Sequence, residues 1–278
     1  MKCLACGCEY WSVVGPNRFF PGSEIVRCMA CGTIQPDPVP SPGAVSEFYC
    51  DGYYRYSPVA TQIKKRLGDL YARSRKFWIE QYVPLKSGAR VLEIGCGYGN
   101  LLNLLSRAVD TWSFGIEPSR EAVSNRCDGK FLIEHESFER AELKYAHPEF
   151  DLIVMSHVLE HLVDPSVAIE KLKSMLAPGG WLYLEVPNRH APTYRKNNYQ
   201  NVPDFYFFDR FSFDLFLTKH GLAGQVFNME VAHLTGRYDK IGCVVNWPLH
   251  EAMQFTKQPI LYRGGSDSFA ICAIVRAK

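Results

Sequence analysis

The chain has 278 residues, 47% hydrophobic and 22% charged, the balance of a globular protein with a sizeable core rather than of a disordered or fibrous one. Its 31 basic and 29 acidic residues leave a formal net charge of +2, too weak a field to argue for a polyanionic partner. No apolar run approaches the ~20 residues that span a bilayer, and MKCLACGCEY lacks the apolar core of a secretory signal, so the expected setting is the cytoplasm.

The first element is a pair of knuckles. Cys3-x-x-Cys6 and Cys28-x-x-Cys31 are each followed by a glycine, Gly7 and Gly32, and enclose a stretch with the strand-like aromatics Trp11, Phe19 and Phe20. Two intervening residues let both thiolates of a knuckle reach one tetrahedral Zn²⁺ at ~2.3 Å, and the glycine lets the backbone turn beneath the metal. Residues 1–40 therefore read as a zinc ribbon, a segment too small to hold a core without its metal. With Cys3, Cys6, Cys28 and Cys31 all engaged, the zinc is expected to be structural, and Cys8 is a spare. Lys2, Arg18 and Arg27 are balanced by Glu9, Glu24 and Asp37, so the ribbon lacks the basic face that RNA binding needs, and a packing or substrate-covering role is expected.

Residues 41–84 form the second region, entered through IQPDPVPSPG at 34–43, whose prolines predict an extended, stiff connector without helix or strand. An aromatic cluster follows, Phe48, Tyr49, Tyr53, Tyr54 and Tyr56, fit either for packing or for a lid. From Val59 to Tyr82, apolar residues recur every three or four positions, which predicts an amphipathic helix over 58–82 closing one edge of a sheet.

The third region, 85–278, opens with ARVLEIGCGYGNLLNLLSR: an apolar strand, the turn Gly95-x-Gly97-x-Gly99, then an amphipathic helix. A second strand ends in Glu117, 20 residues past Gly97, where a carboxylate accepts hydrogen bonds from ribose hydroxyls. The spacing is GxGxG rather than GxGxxG. Glu93, two residues before the first glycine, suits a cationic amino-acid moiety and would repel a pyrophosphate.

VLEIGCGYGN, GIEPS, FDLIVMSHVLEHLVDP and LAPGGWLYLEVPN, in that order across 88–190, resemble the ordered motifs of class I S-adenosylmethionine-dependent methyltransferases. The resemblance implies a Rossmann-like α/β fold with a seven-stranded sheet whose last strand is antiparallel. It also implies S-adenosylmethionine as cofactor, its methionine part held by Gly95, Gly97 and Gly99, its ribose by Glu117, and its adenine flanked by Ser137 and Phe138.

FDLIVMS ends at Ser156, at the carboxyl end of a strand, where ligands gather in open α/β sheets, so Ser156 and His157 should face the crevice. Glu160 and His161 follow at i+3 and i+4, placing all three on one helical face. His157 is the expected general base and His161 the second candidate, with a Glu160–His161 pair also readable as a brace or as part of a metal site that lacks further ligands. Pro187 and Asn188 close a fifth strand beside the crevice, and no NPPY-type sequence for methylating DNA bases occurs. A helix from Ser212 to Gly221 and a buried final strand complete the chain; 233–265 is unassigned.

The ribbon ahead of this domain resembles enzymes of bacterial polysaccharide and deoxysugar pathways. Because the chain lacks the extra carboxyl-terminal domain of sugar C-methyltransferases, the resemblance implies O-methylation of a sugar, nucleotide sugar or glycan. RNA methylation, sugar C-methylation and a non-enzymatic scaffold are the alternatives; the oligomeric state is not legible.

Overall fold

The computed structural model describes residues 1–51, 58–142, 149–195, 199–200, 204–231, 261–263 and 270–276. At the N-terminus, β1 (Trp11–Pro16), β2 (Glu24–Cys28) and β3 (Ile34–Asp37) form an antiparallel sheet in that order. The proline-rich stretch is thus not a free connector. Pro36 lies in edge strand β3 opposite Ile25, where a missing N–H is tolerated, and Pro42 opens helix α1 (Pro42–Asp51), where its N–H has no partner to lose.

The larger sheet contains β4 (Arg90–Ile94), β5 (Trp112–Ile116), β6 (Phe131–Glu134), β7 (Phe150–Ser156), β8 (Leu176–Pro187), β9 (Gly224–Val231), β10 (Leu261–Arg263) and β11 (Ala270–Arg276), in the order β10-β9-β11-β8-β7-β4-β5-β6. Strands β4 to β8 run parallel, and β11 is antiparallel to both β8 and β9. These are the expected seven strands with an antiparallel last one, and β10 extends the edge as an eighth. Apart from β10, almost all of the unassigned 233–265 stretch lies outside the described residues, as do Tyr53, Tyr54 and Tyr56.

Period-two alternation sorts the strands onto two faces. Leu92, Ile94, Ile153, Met155, Leu184, Val186, Ile271 and Ala273 turn toward α5 (Pro165–Ser174) and α7 (Arg210–Lys219). Val91, Leu152, Val154, Tyr183, Cys272 and Ile274 turn toward α2 (Pro58–Tyr82) and α3 (Asn100–Val109). The helix predicted over 58–82 is present, but it covers this face rather than closing an edge: Ala72, Trp78 and Ile79 are buried in that core, with Trp78 4.8 Å from Phe227. The short helices α4 (Arg120–Ser124) and α6 (Pro192–Arg195) complete the described set.

The ribbon shares the core of the first face, since Cys3, Ala5, Phe20, Cys28 and Cys31 cluster with α5, α7 and the strands. Ile34 and Phe207 exchange backbone hydrogen bonds at 3.1 and 3.0 Å, Arg189 donates to the carbonyl of Gly32, and Lys219 donates to that of Leu4. Among the described residues no helix is long and apolar enough to cross a membrane.

Candidate active site

The crevice lies at the carboxyl ends of the parallel strands, where β4 has neighbours on both sides whose connections leave in opposite directions. Strand β4 delivers Glu93 and then the glycine turn. Gly95 has φ +69°, and a Cβ there would stand 2.3 Å from Val158 Cγ2. Gly97 has φ +53° with nothing within 4 Å of a built Cβ, so the turn is open at this point and a ligand approaches bare backbone. Gly99 precedes α3 and completes the turn.

Glu117, just beyond β5, is buried and already organised: it accepts from the Gly97 and Ser119 backbone N–H groups, each at 2.8 Å. Burial raises its pKa, and these two donors pull against the rise. Each oxygen keeps a lone pair for a further donor. Burial likewise pushes Glu93 up to about 8, opposed by the Arg75 charge and assisted by that of Glu117. Glu93 Oε2 and Ser156 Oγ are buried without a hydrogen-bond partner among the described residues, as expected of atoms facing a ligand site. A nucleoside carrying a cationic amino-acid moiety fits this cradle: two carboxylates, bare glycine backbone and unsatisfied polar atoms.

After β6, Ser137 is half-buried and its N–H donates to Glu136 at 2.8 Å. Phe138, the other residue expected beside adenine, follows Ser137 directly. It is buried in the core, its ring is 4.7 Å from Lys171 Nζ, and Lys171 also donates to its carbonyl at 2.6 Å.

The remaining candidate residues start at the end of β7. His157 has φ +52°, a left-handed conformation that costs a non-glycine residue roughly 1–2 kcal/mol. Its backbone N–H donates to the Glu185 carbonyl at 2.9 Å. Its Nδ1 is 3.2 Å from Glu160 Oε1, and its Nε2 is 3.0 Å from Glu185 Oε1. Glu160 and His161 belong to a single 3₁₀ turn, Leu159–His161, rather than to the expected α-helical face; α5 begins only after the Asp164 cap. The chain enters this turn through the left-handed backbone at His157, and the His157 ring lies against Glu160. His161 Nδ1 is 3.5 Å from Asp204 Oδ1, and its Nε2 is 3.9 Å from Glu160 Oε1.

Burial alone would depress the His157 pKa, but hydrogen bonds to Glu160 and Glu185 outweigh it and raise the value to about 10. Both ring nitrogens thus face carboxylates, which favours the charged form of the ring. Burial raises Asp204 to about 6, the charge of His161 opposing and that of Glu160 assisting.

Sequence reasoning missed Glu185, Arg75, Tyr183 and Asp204. Arg75 on α2 grips Glu185 on β8 through Nε at 2.8 Å and Nη2 at 3.0 Å, and Tyr183 Oη donates to the same carboxylate at 3.0 Å. Burial would raise the Glu185 pKa, but the Arg75 charge and His157 hold it well below the usual carboxylate range. A glutamate inside the apolar run WLYLEVP was the available signal, because a fully buried carboxylate demands a cation. Asn188 is buried, its side chain accepting from His190 N at 3.0 Å.

The four ribbon thiols converge, with Cys3, Cys6, Cys28 and Cys31 Sγ all within 4.8 Å of one another. The Cys3–Cys31 and Cys6–Cys28 separations are both 3.6 Å, against the roughly 3.8 Å edge of a tetrahedron with 2.3 Å metal–sulfur bonds. Gly7 and Gly32 N–H groups donate to the Cys3 and Cys28 carbonyls at 2.9 Å, closing each knuckle. Beside this ribbon, Phe19, Phe20, Pro38, Val39 and Phe48 line an open cleft of about 550 Å³. Phe48 contacts both Phe19 and Phe20, and Phe20 stands 5.0 Å from Phe205, next to Asp204.

A family model described as "Methyltransferase domain" matches residues 60–225. The chain is 30% identical over 122 residues to a ubiquinone biosynthesis O-methyltransferase of Thiobacillus denitrificans, covering 42% of this chain and 52% of the relative. It is 32% identical over 125 residues to the same-named protein of Paraburkholderia phymatum, with the same coverages. The match thus spans about half the length of these curated relatives. In fold, the chain resembles a Thermotoga maritima SAM-dependent methyltransferase, described as a possible histamine N-methyltransferase (TM-score 0.51, 20% identity, 76% of this chain and 88% of that one). It also resembles the plantazolicin methyltransferase BpumL in complex with SAH (TM-score 0.54, 14% identity, 84% and 94%).

Proposed function

Because the chain belongs to the methyltransferase-domain family, we propose that it transfers the methyl group of S-adenosylmethionine to a hydroxyl of a small polar acceptor, a sugar, nucleotide sugar or glycan. One observation carries the reading. Glu93, Gly95, Gly97, Gly99, Glu117, Ser137 and Ser156, which suit a cationic nucleoside, lie at or just after the carboxyl ends of the parallel strands β4 to β7, and the His157, Glu160, His161 and Asp204 cluster adjoins the end of β7. Such a cluster hydrogen-bonds a polyhydroxylated molecule far better than an apolar one.

When bound, the cofactor supplies an electrophilic methyl on a sulfonium. The protein's residues align the acceptor and receive its proton. Alignment is worth up to roughly 7–11 kcal/mol, and a base adds about 10²- to 10⁴-fold. His161, whose Nδ1 lies 3.5 Å from Asp204 and whose Nε2 is 3.9 Å from Glu160, too far for a hydrogen bond, is the base in this reading, and Glu160 lies between it and His157. The thiols of Cys3, Cys6, Cys28 and Cys31 hold a structural zinc, which fixes the ribbon beside this cluster through Phe20 and Phe205. The names of the curated relatives favour oxygen as the methylated atom and make a phenolic hydroxyl the second reading.

The test is transfer of a labelled methyl group from S-adenosylmethionine into separated fractions of host extract: nucleotide sugars and glycans, quinols and phenols, RNA, and protein. Label in the sugar fraction that falls 10²-fold or more in His161→Asn is the expected result. Label confined to the phenolic or RNA fraction overturns the acceptor class, and full activity in His161→Asn overturns the base.

A further inference from the structure

Glu185 and Arg75 stand outside the glycine turn and outside the His157–His161 segment, and they come from elements 110 residues apart. Both nevertheless converge on the residue held in a left-handed backbone at the end of β7. Glu185 grips His157 twice, its carbonyl accepting the backbone N–H at 2.9 Å and its Oε1 facing ring Nε2 at 3.0 Å. Glu185 is itself locked by the two-pronged Arg75 contact and by Tyr183 Oη. Helix α2, which carries Arg75, also reaches the cofactor turn: Asn100 Nδ2 donates to the Lys65 carbonyl at 3.2 Å, and Lys65 Nζ lies 5.5 Å over the Tyr98 ring. One rigid element thus touches both halves of the crevice.

We propose that Arg75 and Glu185 are positioning residues of methyl transfer, which lock the His157 ring so that Glu160, and through it His161, is presented at the crevice. The proposal rests on the reading of His161 as the base. The charged and titratable groups near His157 among the described residues are Glu185 from β8, Glu160 from the 3₁₀ turn and Asp204, with Arg75 from α2 and Tyr183 from β8 on Glu185, and His161 beside Glu160 and Asp204. Replacing Glu185 by glutamine keeps the Glu160 contact with the ring and leaves the Arg75 charge facing a neutral side chain. The ring then loses the Glu185 anchor and one of the carboxylates that favour its charged form, while the Glu160 contact remains.

The experiment is an NMR titration of the histidine rings in full-length wild type, Glu185→Gln, Arg75→Met and Arg75→Lys, alongside label transfer into deproteinised host extract. His157 is expected to titrate near 10 in wild type and clearly lower in Glu185→Gln, in which the Glu160 contact remains. The shift should be smaller in Arg75→Met and smaller still in Arg75→Lys, which keeps the charge but not the fork. Transfer in Glu185→Gln should fall roughly 10- to 100-fold at an unchanged KM for S-adenosylmethionine. An unmoved His157 titration, or a KM that rises in step with the loss of kcat, overturns the proposal. If Glu185→Gln does not melt cooperatively, the Arg75→Lys titration decides by the same criterion. Undiminished transfer in His161→Asn would sink the base assignment while leaving the His157 shift intact, so the two failures are distinguishable.

Discussion

Glu93→Gln, with cofactor affinity measured against pH, isolates the carboxylate that precedes the glycine turn. In the free protein burial holds Glu93 up to about 8, so near pH 7 it is mostly protonated. Pairing with the cationic amino group of S-adenosylmethionine requires the ionised form, so binding releases a proton below pH 8 and the apparent affinity falls as pH falls. One pKa unit corresponds to 1.36 kcal/mol. Between about pH 6 and 7.5 the protonation penalty drops roughly 25-fold, while an α-amino group of pKa about 7.8 begins to lose its own charge. The net expectation is a Kd roughly 10- to 20-fold tighter at pH 7.5 than at pH 6, with an optimum near 8 and a decline beyond it. Calorimetry in two buffers of different ionisation enthalpy measures both the Kd and the released proton. Glu93→Gln should bind with a nearly flat profile over the same range and release no proton. A wild-type Kd that does not change between pH 6 and 7.5, or the same slope in Glu93→Gln, would refute the assignment of Glu93 to the cofactor.

Three further outcomes are expected. The folded protein holds the His157 pKa near 10 against an ordinary 6.5, so its stabilising effect is complete below about pH 6.5 and is lost as pH rises through 10; wild type should lose more stability than His157→Asn over that window in urea melts. Arg75→Met leaves Glu185 buried beside a single remaining cation, and thermal melts should show a loss of about 3–5 kcal/mol, with a coupling of at least ~1 kcal/mol in the Arg75→Met/Glu185→Gln cycle. Elemental analysis should find zinc at one per chain, absent in Cys28→Ser; chelation with thiol titration should lower the melting temperature of the whole molecule, because the ribbon shares the catalytic core.

Much of the fold was legible because it is written in local patterns. The cysteine knuckles, the strand–glycine–helix unit at 88–107, Glu117 at a strand end and the amphipathic run at 58–82 each reflect spacing within a few residues, where chain geometry alone dictates the outcome. The order of those units then fixed the doubly wound sheet, because right-handed crossovers leave little freedom in how they assemble. What only the tertiary structure decided involves partners distant in sequence. The charge state of His157 depends on Glu185, and that of Glu185 on Arg75 on a different element. Read alone, His157 carries no sign of its partners; in the fold two carboxylates face its ring and favour the charged form. The same holds for Phe138, drawn into the core under Lys171, and for the proline stretch, of which β3 is recruited by β2 and by Phe207. A pKa or a strand edge is a property of the enclosing surroundings, and those exist only once the chain has folded.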